Sequence, residues 1–169
     1  ARLFDFPHLA AAVINADDRF GQELIARARA RVVSFGFENG DVRASAVRPS
    51  PAGLAIDVTT PAGSAEVRSP LLGRFNAANL LAVLAVLLVL GMPLTDAAAA
   101  LAHAQPVAGR MERFGGDDRP LVVVDYAHTP DALEKALAAP ARPGRELADQ
   151  GRRSEIEQAL AEARGHGGS

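Results

Sequence analysis

The sequence contains no cysteine and a single lysine, Lys135. Without cysteine the chain cannot form disulfides, thiolate nucleophiles or cysteine-bound zinc sites, and this composition fits a cytoplasmic protein. Because Lys135 follows Glu134, the Gly-Lys-Ser/Thr sequence of a P-loop is missing as well. Any nucleotide site formed by these residues must therefore hold phosphates with other groups.

A strong charge and a long apolar run are also missing. The formal net charge of −2 at pH 7 gives no electrostatic basis for binding nucleic acid. The apolar run at residues 80–90 is too short to span a bilayer and predicts a buried helix instead. The first residues lack a secretory signal pattern, while hydrophobic residues make up 49% of the chain. We therefore expect a cytoplasmic protein with one domain or two small ones and no membrane span.

The pattern of apolar and polar residues predicts an α/β fold. A strand at residues 11–15, a helix at 19–29 capped by residues 16–18, and a strand at 31–35 form a strand–helix–strand unit typical of parallel sheets. Three alternating segments then predict a small antiparallel sheet attached to this core. They are residues 41–47, 53–59 and 64–71.

Two helices are predicted after these strands. The first covers residues 76–90, with Asn76 as its N-cap and Gly91 as its C-terminal stop. The second helix is shorter and is capped by Thr95 or Asp96.

A turn rich in glycine and aspartate at residues 115–118 predicts a domain boundary within residues 111–118. After the strand that follows, a helix is predicted from Thr129 to about residue 139, and one more at residues 154–164. Residues 119–169 are too few for a complete doubly wound domain.

The end of the strand at residues 121–124 carries the most informative polar cluster of the chain. Asp125, Tyr126 and His128 follow the strand directly, and Thr129-Pro130-Asp131 then begins a helix. In an open α/β sheet, ligands lie beyond the carboxyl ends of strands, often at a helix N-terminus. Asp125 can accept ribose hydroxyls or merely cap a turn, and His128 can be a base, a phosphate contact or an ordinary loop residue. We favour a ligand site.

Three further sets of side chains are candidates, each with a plain structural alternative. A buried Asn79 can pair with an adenine edge or bond a neighbouring loop. Arg110 can clamp a phosphate with its planar fork, although a loop arginine is more often a solvated surface group. Asn15, Asp17 and Asp18 can hold Mg²⁺, but we favour Asp17 or Asp18 as a helix cap and predict no metal ligand in the chain.

Three motifs, in this order and spacing, resemble the Mur ligases. They are Phe75-Asn76-Ala77-Ala78-Asn79, Gly109-Arg110-Met111-Glu112 and Asp125-Tyr126-Ala127-His128-Thr129-Pro130-Asp131-Ala132-Leu133. Val13-Ile14-Asn15-Ala16-Asp17-Asp18 also fits the family, and the resemblance covers roughly residues 1–139. The run after Asp125 is most similar to the members that add the third residue of the peptidoglycan stem peptide. Sister stem-peptide ligases and folylpolyglutamate synthetase share the layout with different residues there.

The resemblance implies an ATP-dependent amide-bond ligase. In this family ATP phosphorylates the D-glutamyl γ-carboxylate of UDP-N-acetylmuramoyl-L-Ala-D-Glu, and a diamino acid, meso-diaminopimelate or L-lysine, attacks the acyl phosphate. Mg²⁺ and cationic groups offset the negative charge. The implied partners are these two substrates, ATP and Mg²⁺, and we expect a monomer. A sister ATP-dependent ligase and a non-catalytic nucleotide-binding or scaffold fragment are the alternatives.

The same resemblance assigns roles to individual residues. Asn79 would contact adenine, Arg110 would approach the phosphates or the ribose, and Asp125 would bind the ribose hydroxyls. Tyr126 and His128 would line the same cleft.

The resemblance also implies a division of the chain. Residues 1–112 would belong to a central ATP-binding domain with a parallel sheet and a small antiparallel subsheet. Residues 119–169 would form an incomplete, Rossmann-like C-terminal ligase domain. The family's P-loop, its carbamylated lysine, its UDP-sugar-binding domain and its Asp-Asn-Pro-Arg motif are missing from the sequence. We therefore expect a fragment, or joined pieces, of a longer ligase, inactive by itself.

Overall fold

The computed structural model describes residues 6, 8–50, 52–116, 119–130 and 132–134. The chain divides into two compact units between Pro106 and Val107. The described residues of the first unit form five strands and three helices. These are β1 (Ala12–Asn15), α1 (Arg19–Arg27), β2 (Val32–Gly36), β3 (Val42–Ser50), β4 (Gly53–Thr60), β5 (Gly63–Ser69), α2 (Arg74–Val89) and α3 (Leu94–Leu101).

The five strands form one mixed sheet in the order β1-β2-β3-β4-β5. β1 and β2 run parallel, as do β2 and β3, whereas β4 and β5 continue the sheet in antiparallel fashion. The predicted α/β class, with parallel and antiparallel parts, is confirmed. The antiparallel part is not a separate attachment, because β3 pairs with β2 through Phe35 and Val42 and so joins both parts into one sheet.

The start of α1 agrees with the prediction and shows why the sequence folds this way. Asp18 is the N-cap, and its carboxylate accepts the N–H of Gly21 at 2.7 Å. Gly21 is buried against the end of β1, where an added Cβ would lie 1.9 Å from the carbonyl oxygen of Asn15. Only glycine therefore allows the helix to approach the strand this closely.

α2 supplies much of the core of this unit. It packs against β1, β2 and β3, and α3 packs against α2 and β5. The largest fully buried side chains of this unit are Val42, Ile56, Val58, Val67, Leu81 and Leu84. In the part of the chain that the structure describes, no helix has the length and apolar character needed to cross a membrane.

The end of α2 was predicted correctly. Gly91 has φ +85° and donates to the carbonyl of Leu88 at 3.0 Å, while Met92 donates to Leu87 at 3.0 Å. These two bonds form a Schellman motif, which requires the left-handed conformation that glycine adopts without strain.

The predicted N-caps of α2 and α3 were wrong. The N-cap of α2 is Gly73, and the Asn76 amide donates backwards to the carbonyl of Leu72 at 2.7 Å. The N-cap of α3 is Pro93, so neither Thr95 nor Asp96 has that role. Both helices begin before the polar residues that were predicted as their caps. A glycine or a proline occupies the N-cap position, and neither provides a side-chain acceptor.

The second unit contains an antiparallel hairpin of β6 (Glu112–Gly116) and β7 (Arg119–Val124). The sequence does not predict β6, because the glycines and aspartates at residues 115–118 indicate a turn. The predicted helix start is confirmed, because the hydroxyl of Thr129 accepts the N–H of Ala132 at 3.3 Å. The remainder of that helix, the helix at 154–164 and most of the Rossmann-like domain lie outside the described residues.

Candidate functional site

Arg110 lies in a tight turn that precedes β6. Gly109 and Met111 have φ values of +70° and +51°, and the N–H of Arg110 donates to the carbonyl of Val107 at 2.9 Å. One carboxylate oxygen of Glu112 accepts the N–H of Gly109 at 2.9 Å and closes the turn. Arg110 is exposed, so its guanidinium can reach a ligand from solvent.

The hairpin brings this turn to Asp125. Glu112 pairs with Val124, so the residues before β6 lie beside those after β7. Oδ2 of Asp125 accepts the N–H of Met111 at 2.9 Å, and the N–H of Tyr126 donates to a carbonyl oxygen of the turn at 2.8 Å. Two motifs that are separate in sequence therefore form one cluster, which we call the hairpin site (residues 109–112 and 125–128).

Asp125 keeps acceptor capacity for a ligand. The residue is half-buried, and one of its oxygens bonds Met111. Among the residues that the structure describes, Oδ1 of Asp125 has no hydrogen-bond donor. An ionised carboxylate accepts about four hydrogen bonds, so hydroxyl groups of a ligand can still bind there.

Two aromatic rings and a cation lie together at the surface of the hairpin site. The guanidinium carbon of Arg110 lies 5.3 Å from the ring centroid of Tyr126, within the range of a cation–π interaction. The rings of Tyr126 and His128 are 5.2 Å apart, and Tyr126 is 66% exposed. A planar or anionic ligand could therefore contact all three side chains.

The histidine has a defined hydrogen-bonding arrangement. Nδ1 of His128 lies 3.0 Å from the carbonyl oxygen of Tyr126. Because a carbonyl only accepts, Nδ1 must carry the proton in this contact. Nε2 is then the nitrogen available to a ligand.

The expected burial of Asn79 was wrong. Asn79 is exposed on α2, and its amide donates to the side-chain oxygen of Asn76 at 3.3 Å. Its bonding partner lies one turn earlier on the same helix, not on a neighbouring loop. Asn79 belongs to the first unit. Its contact with adenine remains a prediction.

The carboxylates after β1 bind backbone, not each other. Asp17 accepts the backbone N–H groups of residues 37–39, and Asp18 caps α1. Burial acts to raise the pKa of Asp17, but these backbone bonds outweigh burial and hold the pKa below its usual value. The side-chain oxygen of Asn15 accepts the N–H of Asp17 at 2.9 Å. This supports the structural explanation of the group over the magnesium alternative. Within the described ranges, no three acidic, histidine or cysteine side chains form a metal-binding group.

The Gly109-Arg110-Met111-Glu112 motif was visible in the sequence, but only Arg110 was given a role; Met111 and Glu112 also belong to the hairpin site. Met111 has positive φ and binds Asp125 through its backbone, so its side-chain type carries no signal for this role. Glu112 bonds the N–H three residues before it. The spacing of Gly109 and Glu112 is visible in the sequence, but their hydrogen bond forms only because the chain turns between them.

Two family models match the chain. The Mur ligase middle domain matches residues 1–87, and the glutamate ligase domain of Mur ligases matches residues 109–166. The second match covers the hairpin site.

Curated relatives agree with the family models. A UDP-N-acetylmuramoyl-L-alanyl-D-glutamate–2,6-diaminopimelate ligase of Chromobacterium violaceum is 56% identical over 140 residues, which is 81% of this chain and 28% of that protein. The enzyme of the same name from Pseudomonas aeruginosa is 46% identical over 142 residues, which is 82% of this chain and 29% of that protein. The chain thus spans less than a third of these relatives.

Solved structures show the same fold. A structure of UDP-N-acetylmuramoyl-L-alanyl-D-glutamate–2,6-diaminopimelate ligase matches with a TM-score of 0.74 and 31% identity, covering 96% of this chain and 37% of that one. A structure of MurF from Acinetobacter baumannii matches with a TM-score of 0.71 and 28% identity, covering 90% of this chain and 36% of that one. The chain therefore belongs to the Mur ligase family.

Proposed function

We propose that these residues work as part of an ATP-dependent ligase that adds a diamino acid to UDP-N-acetylmuramoyl-L-Ala-D-Glu. Family membership and the names of the relatives support this activity. The relatives are named for 2,6-diaminopimelate, which favours that amino acid over L-lysine. The observation that carries the proposal is the hydrogen bond from Met111 to Asp125, which joins two ligase motifs into one site.

The hairpin site fits part of a nucleotide. Oδ1 of Asp125 can accept a ribose hydroxyl, and the exposed guanidinium of Arg110 can hold a phosphate oxygen. Tyr126 and His128 offer ring faces and Nε2 beside them. Bound ATP would supply the phosphoryl group that activates the acceptor carboxylate. On the separate α2 surface, Asn79 is proposed to contact adenine.

Magnesium is proposed as the partner of ATP, but no residue here is assigned to it. The described residues form no group of three potential ligands, and Asp17 and Asp18 bind backbone N–H groups. We also propose that the ligase is a cytoplasmic monomer, which cell fractionation and size-exclusion chromatography would test.

The test is phosphate release by the complete ligase polypeptide that carries these residues. We expect turnover only when ATP, UDP-N-acetylmuramoyl-L-Ala-D-Glu and diaminopimelate are all present, with L-lysine a poor substitute. Arg110→Ala should lower kcat/KM for ATP at least about tenfold, since a charge-assisted bond is lost. Arg19→Ala is the matched control, because the Arg19 side chain is 95% exposed on α1. Turnover without ATP would refute the proposed ligase activity, and equal turnover by both variants would refute the phosphate role of Arg110.

A second candidate function applies if the polypeptide in the cell consists of these residues alone. The sequence has no Gly-Lys-Ser/Thr run, which favours a non-catalytic nucleotide-binding fragment in that case. The intact mass of the natural polypeptide separates the two. A mass near 17.6 kDa favours the fragment, and a much larger mass favours the ligase.

A further inference from the structure

Glu112 is a half-buried carboxylate that the proposed chemistry leaves without a role. Its Oε2 accepts the N–H of Gly109 at 2.9 Å, so the side chain spans the whole turn that carries Arg110. Within the described residues, no ion pair joins Glu112 to Arg110. The acid therefore acts on the backbone of the turn and leaves the arginine charge available.

The turn needs such a restraint. Met111 is the one non-glycine residue with positive φ in the part of the chain that the structure describes. A side chain in that conformation is strained and persists only where its surroundings hold it. Met111 is buried, and its N–H is held by Asp125. Glu112 supplies the corresponding restraint on the other side of Arg110, at Gly109.

We propose that Glu112 is a positioning residue that orients Arg110 toward the nucleotide phosphates by fixing the N–H of Gly109. The inference rests on the proposed nucleotide role of the hairpin site and adds a residue to it. Glu112 itself does not touch ATP. Its oxygen, not its charge, is the group that matters, because a neutral oxygen can accept the same N–H.

The test compares Glu112→Ala with Glu112→Gln in the complete ligase polypeptide. ATP affinity is measured by calorimetry and stability by the thermal midpoint, Tm. Glu112→Ala should weaken ATP binding about tenfold, because one hydrogen bond that orders the turn is lost. Glu112→Gln should stay within about threefold of wild type, since its amide oxygen replaces the acceptor. Glu23→Ala, an exposed acid on α1, is the control and should not change affinity.

A double variant tests the route of the effect. Because Glu112 acts through Arg110, its loss should matter little once the arginine is gone. The double variant should therefore bind ATP less than about threefold more weakly than Arg110→Ala alone. Full additivity would overturn the inference. If Glu112→Ala does not fold, Glu112→Asp replaces it. That variant keeps the charge but withdraws the oxygen by one methylene, so it should bind ATP more weakly than Glu112→Gln.

The remaining outcomes are distinct. Equal loss in Glu112→Gln and Glu112→Ala would show that the charge contacts the ligand or a cation, which overturns the positioning role. A lower Tm with unchanged ATP affinity would show a merely structural role and also overturn it. Unchanged affinity in Arg110→Ala would refute the proposed function itself. Weak binding by Arg110→Ala with normal binding by Glu112→Ala would refute the positioning role alone.

Discussion

Asp17 follows β1 and Asp125 follows β7, so the two carboxylates occupy comparable places after strands. Asp17 accepts the backbone N–H groups of residues 37–39 and is saturated by the protein. Asp125 accepts one backbone N–H through Oδ2, and the described residues provide no donor to its other oxygen. A strand-end aspartate thus becomes a candidate ligand group only when the fold leaves one oxygen unused.

The surroundings explain the difference. The loop after β2 turns its N–H groups toward Asp17, and an added Cβ at Gly36 would lie 2.7 Å from the Asp17 carboxylate carbon. Arg74 lies 3.8 Å above the ring of Phe37 and holds the loop from another side. Among the described residues, the turn beside Asp125 offers it one N–H instead, that of Met111. The first aspartate is therefore structural, and the second is available for binding.

The largest expected effect is on stability, and it tests whether Asp17 has a structural role that Asp125 lacks. Asp17→Ala removes the acceptor for several backbone N–H groups and should lower the free energy of unfolding by about 2–3 kcal/mol. Urea unfolding of the complete ligase polypeptide measures this. Asp96→Ala, an exposed acid in α3, should change stability by less than about 0.5 kcal/mol. Equal effects of the two variants would contradict the structural role of Asp17.

The pH dependence of stability should sharpen the comparison. Backbone hydrogen bonds hold the pKa of Asp17 below its usual value in the folded state. Its stabilisation is therefore fully present above the unfolded pKa of about 3.9 and is lost as pH falls through the lower, folded pKa.

The matching experiment compares wild type with Asp17→Asn. The difference in unfolding free energy at pH 6 should shrink steadily as the pH is lowered below about 4, because protonation removes the Asp17 charge that the backbone N–H groups stabilise. Taking the difference removes the shared contributions of Asp57 and Glu66, whose pKa values are lowered by their hydrogen bonds to Arg48 and Arg68. A difference that is independent of pH would mean that the charge on Asp17 does not matter.

The smallest expected effect concerns Asn79. Because Asn79 is exposed and its amide donates to the neighbouring Asn76 on the helix surface, Asn79→Ala should change stability by less than about 0.5 kcal/mol. Loss of an adenine contact should weaken ATP binding by about 0.5–1.5 kcal/mol. Calorimetry on the complete ligase polypeptide measures the affinity, with the exposed Gln105→Ala as control. The adenine role fails if both variants bind ATP as wild type does.

Local signals predicted much of the fold. The cap at Asp18, the stop at Gly91 and the start at Thr129 all depend on the chemistry of a single residue, and all three were confirmed. The alternating strands were also visible, because one face of each strand is buried. The parallel pairing of β2 with β3 was not, since it depends on contacts that no local pattern encodes.

Other features could not be read from the sequence for physical reasons. α2 is apolar on most of its surface, so its pattern did not show which face is buried, and Asn79 was placed inside wrongly. β6 contains two glycines among its five residues and has weak strand propensity; it forms because β7 pairs with it. The same pairing brings Arg110 to Asp125, so the hairpin site follows from β6.

ATP binding by Asp125→Ala, compared with Asp17→Ala in the complete ligase polypeptide, tests the central claim most directly. Calorimetry should show that Asp125→Ala weakens ATP binding by about 1–3 kcal/mol, because hydrogen bonds from ribose to a charged acceptor are lost. Asp17→Ala should keep wild-type affinity at a temperature where it remains folded. Unchanged affinity in Asp125→Ala, or an equal loss in both variants, would contradict the assignment of the hairpin site to the nucleotide.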